Sequence, residues 1–119
     1  MPQQSEQEIE KMIKDYQTTQ EQLRSYAIQL EQLKSQKAEF ERANAEVSKA
    51  TGKVYISVGG VIVETTKEKA QQDLKERSEL SDTRIQSMTK QFNDLRAREK
   101  TLNEKITQIY KSGQAQGAQ

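Results

Sequence analysis

A heptad repeat runs from residue 9 to residue 47 without a slip and limits what this chain can fold into. Nine of the twelve a and d positions are apolar, in a segment where most other positions are polar. So long a stripe predicts a helix over residues 6–49 that packs as a coiled coil. The a and d positions are Ile9, Met12, Tyr16, Thr19, Leu23, Tyr26, Leu30, Leu33, Lys37, Phe40, Asn44 and Val47.

The composition agrees with a rod and excludes several classes of protein. Only 32% of the residues are hydrophobic and 31% are charged, which is too little apolar surface for the thick core of a compact globule. The net charge of +1, with both signs mixed along the chain, is not the footprint of a nucleic-acid binder. No apolar run is long enough to span a membrane and the N-terminus lacks a signal-peptide pattern, so we expect a cytoplasmic protein.

Catalytic chemistry has little support in the sequence. The chain contains no His and no Cys, which argues against a zinc site or a nucleophile activated by histidine. No segment matches the Gly-x-x-x-x-Gly-Lys-Ser/Thr pattern of a P-loop. We therefore predict no enzyme activity, no catalytic residue, no metal site and no cofactor.

At residues 53–65 the spacing of apolar residues changes from heptads to the alternation of β-strands, which predicts a β-hairpin. Two β-branched segments flank Gly59-Gly60, the kind of two-residue turn that joins antiparallel strands. Pairing across this turn places six residues on one face, and five of them are apolar. That face consists of Val54, Ile56, Val58, Val61, Val63 and Thr65, and the other face carries Tyr55, Ser57, Ile62 and Glu64.

A second helix is predicted over residues 66–111, beginning at a capping box formed by Thr65 and Glu68. Its length matches that of the first helix, so the two should pair antiparallel as a single unit spanning residues 1–119. Residues 112–119 should form a flexible tail. Ile28 and Leu80 lie off the seam and have no place in this arrangement. The predicted fold class is all-α dominated: an antiparallel two-helix coiled coil joined by a β-hairpin. The a and d positions in its distal part are Ile85, Met88, Phe92, Leu95, Glu99, Leu102, Ile106 and Ile109.

The hairpin predicts self-assembly. A lone two-stranded hairpin is marginally stable in water, and this one has an apolar face and two unpaired edges. It could fold back onto its own helices, but a rod cannot wrap a hairpin at its end. Association of several hairpins into an inter-subunit sheet or β-barrel is the better solution. The predicted assembly residues are Val54, Ile56, Val58, Val61 and Val63.

A second apolar surplus lies at the helix ends far from the hairpin. Position e beside the seam is polar or small along most of both helices, but it is large and apolar at Ile13 and Tyr110. The widened stripe either seals the end of the coil or forms a contact surface for another molecule. It comprises Ile9, Met12, Ile13, Tyr16, Ile106, Ile109 and Tyr110.

The segment from Val54 to Leu74, which reads VYISVGGVIVETTKEKAQQDL, resembles the β-type subunits of prefoldin. The likeness extends to the whole helix–hairpin–helix layout, although Ala50-Thr51-Gly52 stands where this family has a Pro/Asp-rich link. It implies a hetero-hexamer of α-type and β-type subunits, with the hairpins forming a β-barrel platform. It also implies that the coiled-coil tips hold non-native polypeptides without ATP and pass them to a group II chaperonin. On this chain, residues 54–65 would be the assembly element, and the widened stripe would meet clients and chaperonin.

Two other classes remain open from the sequence. A structural coiled-coil adaptor would explain the heptads but not the apolar face of the hairpin. A filament-forming relative of prefoldin would explain both. The size of the assembly separates these classes, because an adaptor is a monomer or dimer, prefoldin is a discrete hexamer and a filament is an open polymer.

Overall fold

The computed structural model describes residues 5–117, and the side chains as far as residue 113. Four elements follow one another: α1 (Glu6–Lys49), β1 (Val54–Val58), β2 (Val61–Thr65) and α2 (Lys67–Gly117). The predicted fold class of two long helices joined by an antiparallel hairpin is confirmed.

The C-terminal end of α2 corrects the sequence prediction. The helix continues to Gly117, past the predicted end at residue 111. The flexibility of residues 112–119 stays a prediction. The two glycines each cost only about 1 kcal/mol in a helix and the intervening glutamines and alanine are good helix formers, so the helix can continue past residue 111. Residues 118 and 119 lie outside the described residues.

The chain divides into two compact parts, which are described separately. The helix-end part comprises the described residues of Met1–Ile28 and Thr89–Gln119, and the hairpin part is Gln29–Met88. That residues 1–119 act as one unit stays a prediction.

The hairpin has the register predicted from its sequence. Val58 pairs with Val61, Ile56 with Val63 and Val54 with Thr65. Gly59 and Gly60 both have positive φ, at 55° and 83°. Two consecutive positive φ values are what a type I′ turn requires, and its twist matches that of the strands it joins.

Hydroxyl side chains cap both helices. At the start of α1 the Glu8 N–H donates to Ser5 Oγ at 3.1 Å. At α2 the Lys69 N–H donates to Thr66 Oγ1 at 3.2 Å, so Thr66 is the cap and the predicted capping box of Thr65 with Glu68 is wrong. Thr65 is unavailable because it forms the last pair of the strand ladder with Val54.

The predicted seam is the core of both parts. All twelve a and d residues of α1 are buried or half-buried, and so are the eight predicted in the distal half of α2. Thr19, only 1% exposed, satisfies its buried hydroxyl by donating to the Asp15 carbonyl at 2.7 Å. Ile28 and Leu80 remain exposed, in keeping with their positions off the seam.

Replacing Thr66 with Ala should lower the free energy of unfolding by about 0.5–2 kcal/mol, because an N–H in the first turn of α2 loses its acceptor. Thr66→Ser should retain stability. Thr107→Ala is a matched control at an exposed position in the middle of α2 and should be neutral or slightly stabilising. Thermal denaturation followed by circular dichroism measures all three variants. Equal stability of Thr66→Ala and the parent would contradict the assignment of this cap.

Candidate functional site

The apolar face of the hairpin is only partly covered by its own chain. Val54, next to the helices, is buried, and Ile56 is half-buried. Nearer the turn, Val58 is 52% exposed, Val61 60% and Val63 45%. The alternative in which the hairpin folds back onto its helices therefore fails for the outer half of this face. Three β-branched side chains remain in contact with water.

The opposite face of the hairpin also exposes apolar side chains, which the sequence analysis did not assign to the site. Tyr55 is 54% exposed and Ile62 is 73% exposed. Glu64, on the same face, forms an ion pair with Lys53, with 3.7 Å between Glu64 Oε1 and Lys53 Nζ. The alternation of the strands predicted that Tyr55 and Ile62 share a face, but the predicted assembly residues all came from the other face. The hairpin is thus apolar on both sides near its turn.

The edges of the hairpin are a third exposed feature. Among the described residues the sheet has only the strands β1 and β2, so each strand has one unpaired edge. Unpaired N–H and C=O groups along an edge are a template for pairing with another strand. An exposed apolar face next to such edges favours association with other hairpins.

The seven residues predicted at the helix ends all lie in the helix-end part. Six of them are half-buried, and Tyr110 is 57% exposed. The half-buried ones are Ile9, Met12, Ile13, Tyr16, Ile106 and Ile109.

These residues do not all meet in one place. Met12 and Ile109 line an open groove of about 520 Å³ between α1 and α2, together with Lys105, Gln108 and Ser112. Ile13 lines a different groove, on the surface of α1, among charged and amide side chains such as Lys11 and Lys14. Of the predicted stripe, Met12 and Ile109 therefore share one shallow groove, Ile13 lies in another and Tyr110 is exposed.

One ion pair joins the helices in the hairpin part. Lys37 occupies an a position of the seam, and its Nζ lies 2.9 Å from Asp82 Oδ1 on α2 and 4.0 Å from Glu41 Oε1. The hydrogen bond and charge of Asp82 raise the pKa of Lys37 above its ordinary value. At the next a position the side-chain oxygen of Asn44 is buried without a hydrogen-bond partner among the described residues. Polar side chains at a positions reduce stability and favour one register.

No group of His, Cys, Asp or Glu among the described residues could hold a metal ion. Likewise, no helix within residues 5–117 is long and apolar enough to cross a membrane. The features that stand out are surfaces, namely an apolar hairpin and two shallow grooves in the helix-end part. Such a chain belongs to the class of proteins built from two long helices joined by a β-hairpin.

Comparisons with known proteins define the family. The family model described as prefoldin subunit matches residues 10–113. The prefoldin subunit beta of Methanosarcina mazei is 37% identical over 103 residues, covering 85% of this chain and 88% of the relative. That of Caldivirga maquilingensis is 33% identical over 97 residues, covering 80% of each.

A solved structure gives the same answer at the level of the fold. The crystal structure of the prefoldin β subunit from Thermococcus strain KS-1 matches with a TM-score of 0.79 and 28% identity, covering 91% of this chain and 96% of that one. The chain belongs to the prefoldin subunit family and is similar to its β subunits, as the hairpin segment predicted. It is therefore a non-enzymatic chaperone subunit, and membership of this family implies assembly with other prefoldin subunits.

The contact between Lys37 and Asp82 can be tested by exchanging the charges. Lys37→Glu and Asp82→Lys should each lower the melting temperature, because each places like charges together, and the double variant should recover much of the loss. Lys34→Glu makes the same change of charge at an exposed position of α1 and should have little effect. If the change in melting temperature of the double variant equals the sum of the changes in the two single variants, the contact between these residues contributes nothing to stability.

The same pair should have a defined pH dependence. Since the pKa of Lys37 is raised in the folded state, its contribution is fully present below the pKa of an unfolded lysine. It is lost as the pH rises through the raised folded value. The coupling between residues 37 and 82 should thus be constant around neutral pH and disappear only in strongly alkaline solution, as measured by thermal denaturation across that range.

Proposed function

We propose that this chain is a β-type subunit of a hetero-hexameric prefoldin, assembled through its hairpin with α-type subunits and other β-type copies. In this proposal the hairpins close into an inter-subunit β-barrel. The helix ends bind non-native polypeptides without ATP and deliver them to a group II chaperonin. The observation that carries the proposal is the apolar hairpin face that its own chain leaves exposed at Val58, Val61 and Val63.

Assembly through the hairpin follows from its energetics. A two-stranded sheet needs further strands or a packed face to be stable in water, and each buried apolar Å² contributes about 25 cal/mol. Neighbouring hairpins supply both, because they pair with the free edges and cover the exposed valines. Closure into a barrel also removes the edges that would otherwise recruit further chains. A discrete oligomer is thus favoured over an open polymer, the state that a filament-forming relative would adopt.

Client binding at the helix ends is supported by the chemistry of the grooves. Both grooves are shallow and open and combine apolar side chains with flexible polar ones. One has Met12 and Ile109 together with Lys105, and the other has Ile13 together with Lys11. A flexible thioether adapts to differently shaped partners better than a branched side chain does. Such surfaces suit unfolded segments, which expose apolar residues in varied sequences.

Independence from ATP is supported by the absence of a nucleotide-binding pattern from the 119 residues. The Gly59-Gly60 pair is accounted for as the type I′ turn and not as part of a phosphate loop. Capture and release would then depend on the affinity of the grooves alone, with the chaperonin competing for the client. Light scattering of a denatured protein, with and without candidate α-type subunits and without nucleotide, tests this directly.

Replacing Ile56 or Val61 with Asp should abolish the oligomer while most helicity remains. In the barrel each change buries an unpaired charge, at a cost on the order of several kcal/mol per site. The exposed Val61 should tolerate the same change in an isolated chain. Multi-angle light scattering gives the mass, and circular dichroism gives the helicity.

Two controls locate the interface. Ile28→Asp introduces the same charge at an equally exposed apolar residue outside the hairpin and should leave the oligomer intact. Ile62→Asp places it on the opposite face of the same hairpin and should be milder than Val61→Asp. Normal assembly of the Ile56 and Val61 variants would rule out the barrel.

Substituting Ile13 and Tyr110 together with Ser should weaken the suppression of client aggregation while oligomer mass and thermal stability stay nearly unchanged. Both side chains lie beside the seam and not within it, so their loss removes contact surface more than core. Ile28→Ser with Leu80→Ser is the matched control, because it removes two exposed aliphatic side chains that are not part of the predicted stripe. Full client protection by the Ile13/Tyr110 variant would place the client surface elsewhere.

A further inference from the structure

Met12 occupies an unusual position for a seam residue. It and Met88 are the two methionines within residues 5–117, and both are half-buried at d positions. Met12 also lines the open groove of the helix-end part, together with Ile109. A methionine in an open groove can be reached by small oxidants dissolved in water.

The remaining lining of this groove is rich in hydrogen-bond donors. Lys105, Gln108 and Ser112 contribute an ammonium, an amide and a hydroxyl, and all three side chains are exposed. The ion pairs found among the described residues do not include Lys105. Thioether sulfur is a weak acceptor and gives these donors little to bind. A sulfoxide oxygen on the same side chain would be a much stronger hydrogen-bond acceptor.

We propose that Met12 is an oxidation site through which peroxide lowers the capture of non-native polypeptides by this groove. The inference rests on the proposed function of the helix ends. In the reaction the thioether sulfur attacks one oxygen of hydrogen peroxide and the O–O bond breaks. The sulfur takes up that oxygen and is oxidised by two electrons, and the other oxygen leaves as water.

The change in polarity accounts for the effect. Oxidation converts a flexible apolar side chain into a polar one, so the groove loses the partner of Ile109 in contacting apolar segments. The donors at the rim hold the new oxygen within the groove, where it stays hydrated or hydrogen-bonded. An apolar client segment would have to displace these bonds without replacing them, which weakens its binding. Because methionine sulfoxide is reducible by enzymes, the change is reversible.

The test titrates the assembled full-length protein with hydrogen peroxide and follows Met12 and Met88 by peptide mass spectrometry. Suppression of client aggregation is measured on the same samples, with oligomer mass as a check on assembly. We expect Met12 to oxidise several-fold faster than Met88 and capture to fall in step with the oxidised fraction of Met12, at unchanged oligomer mass. Methionine sulfoxide reductase with a thiol reductant should restore capture.

Matched variants identify the sulfur responsible. After peroxide treatment Met12→Leu should keep whatever level of capture it has before treatment, whereas Met88→Leu should lose capture as the parent does. Unchanged capture after complete oxidation of Met12, or equal loss in Met12→Leu and the parent, would overturn the inference. The Ile13/Tyr110 variant separates the two proposals. If this variant loses capture while oxidation of Met12 has no effect, the proposed client surface is supported and the proposed role of Met12 oxidation is contradicted.

Discussion

The apolar seam between α1 and α2 determines the rest of the structure, because it is the one place where a chain this polar can bury its hydrophobic residues. Helices with a stripe on one side must pair, and pairing leaves each charged face in water. Within each part of the molecule the a and d residues are accordingly buried or half-buried, while most of their neighbours are exposed. All apolar residues that the seam cannot accommodate must either face water or bind something else.

Apart from Ile28 and Leu80, two apolar surfaces remain accessible to water, and they differ in kind. The hairpin presents rigid β-branched side chains on a fixed backbone, a surface suited to a partner of defined shape such as another hairpin. The grooves of the helix-end part present flexible side chains, Met12 and the lysines among them, around a few apolar contacts. A surface of that kind favours many weak partners over a single strong one. The division between assembly and client binding in the proposed function follows this difference.

Much of the fold could be predicted because its signals are local and periodic. A period of two residues around Gly59-Gly60 determined the hairpin register, and the heptads determined which helix face is buried. The predictions failed where neighbouring residues compete. Thr65 and Thr66 both suit a helix cap, and the choice depends on which of them the strand ladder uses. Which residues of the predicted stripe share a groove depends on side-chain packing, for which no sequence period exists.

The ion pair between Lys37 and Asp82 also restricts how the length of the chain can vary. Lys37 precedes Val54 by seventeen residues, and Asp82 follows Thr65 by the same number, so the helices continue the register set by the paired strands. A single residue inserted into one arm would rotate everything beyond it by about 100° and carry Lys37 out of the seam. Insertions and deletions in this stretch should therefore be tolerated only as compensating changes in both arms or as whole heptads. Changes of length in α1 and α2 would then be coupled, because positions in both helices are matched by their distance from the glycine turn.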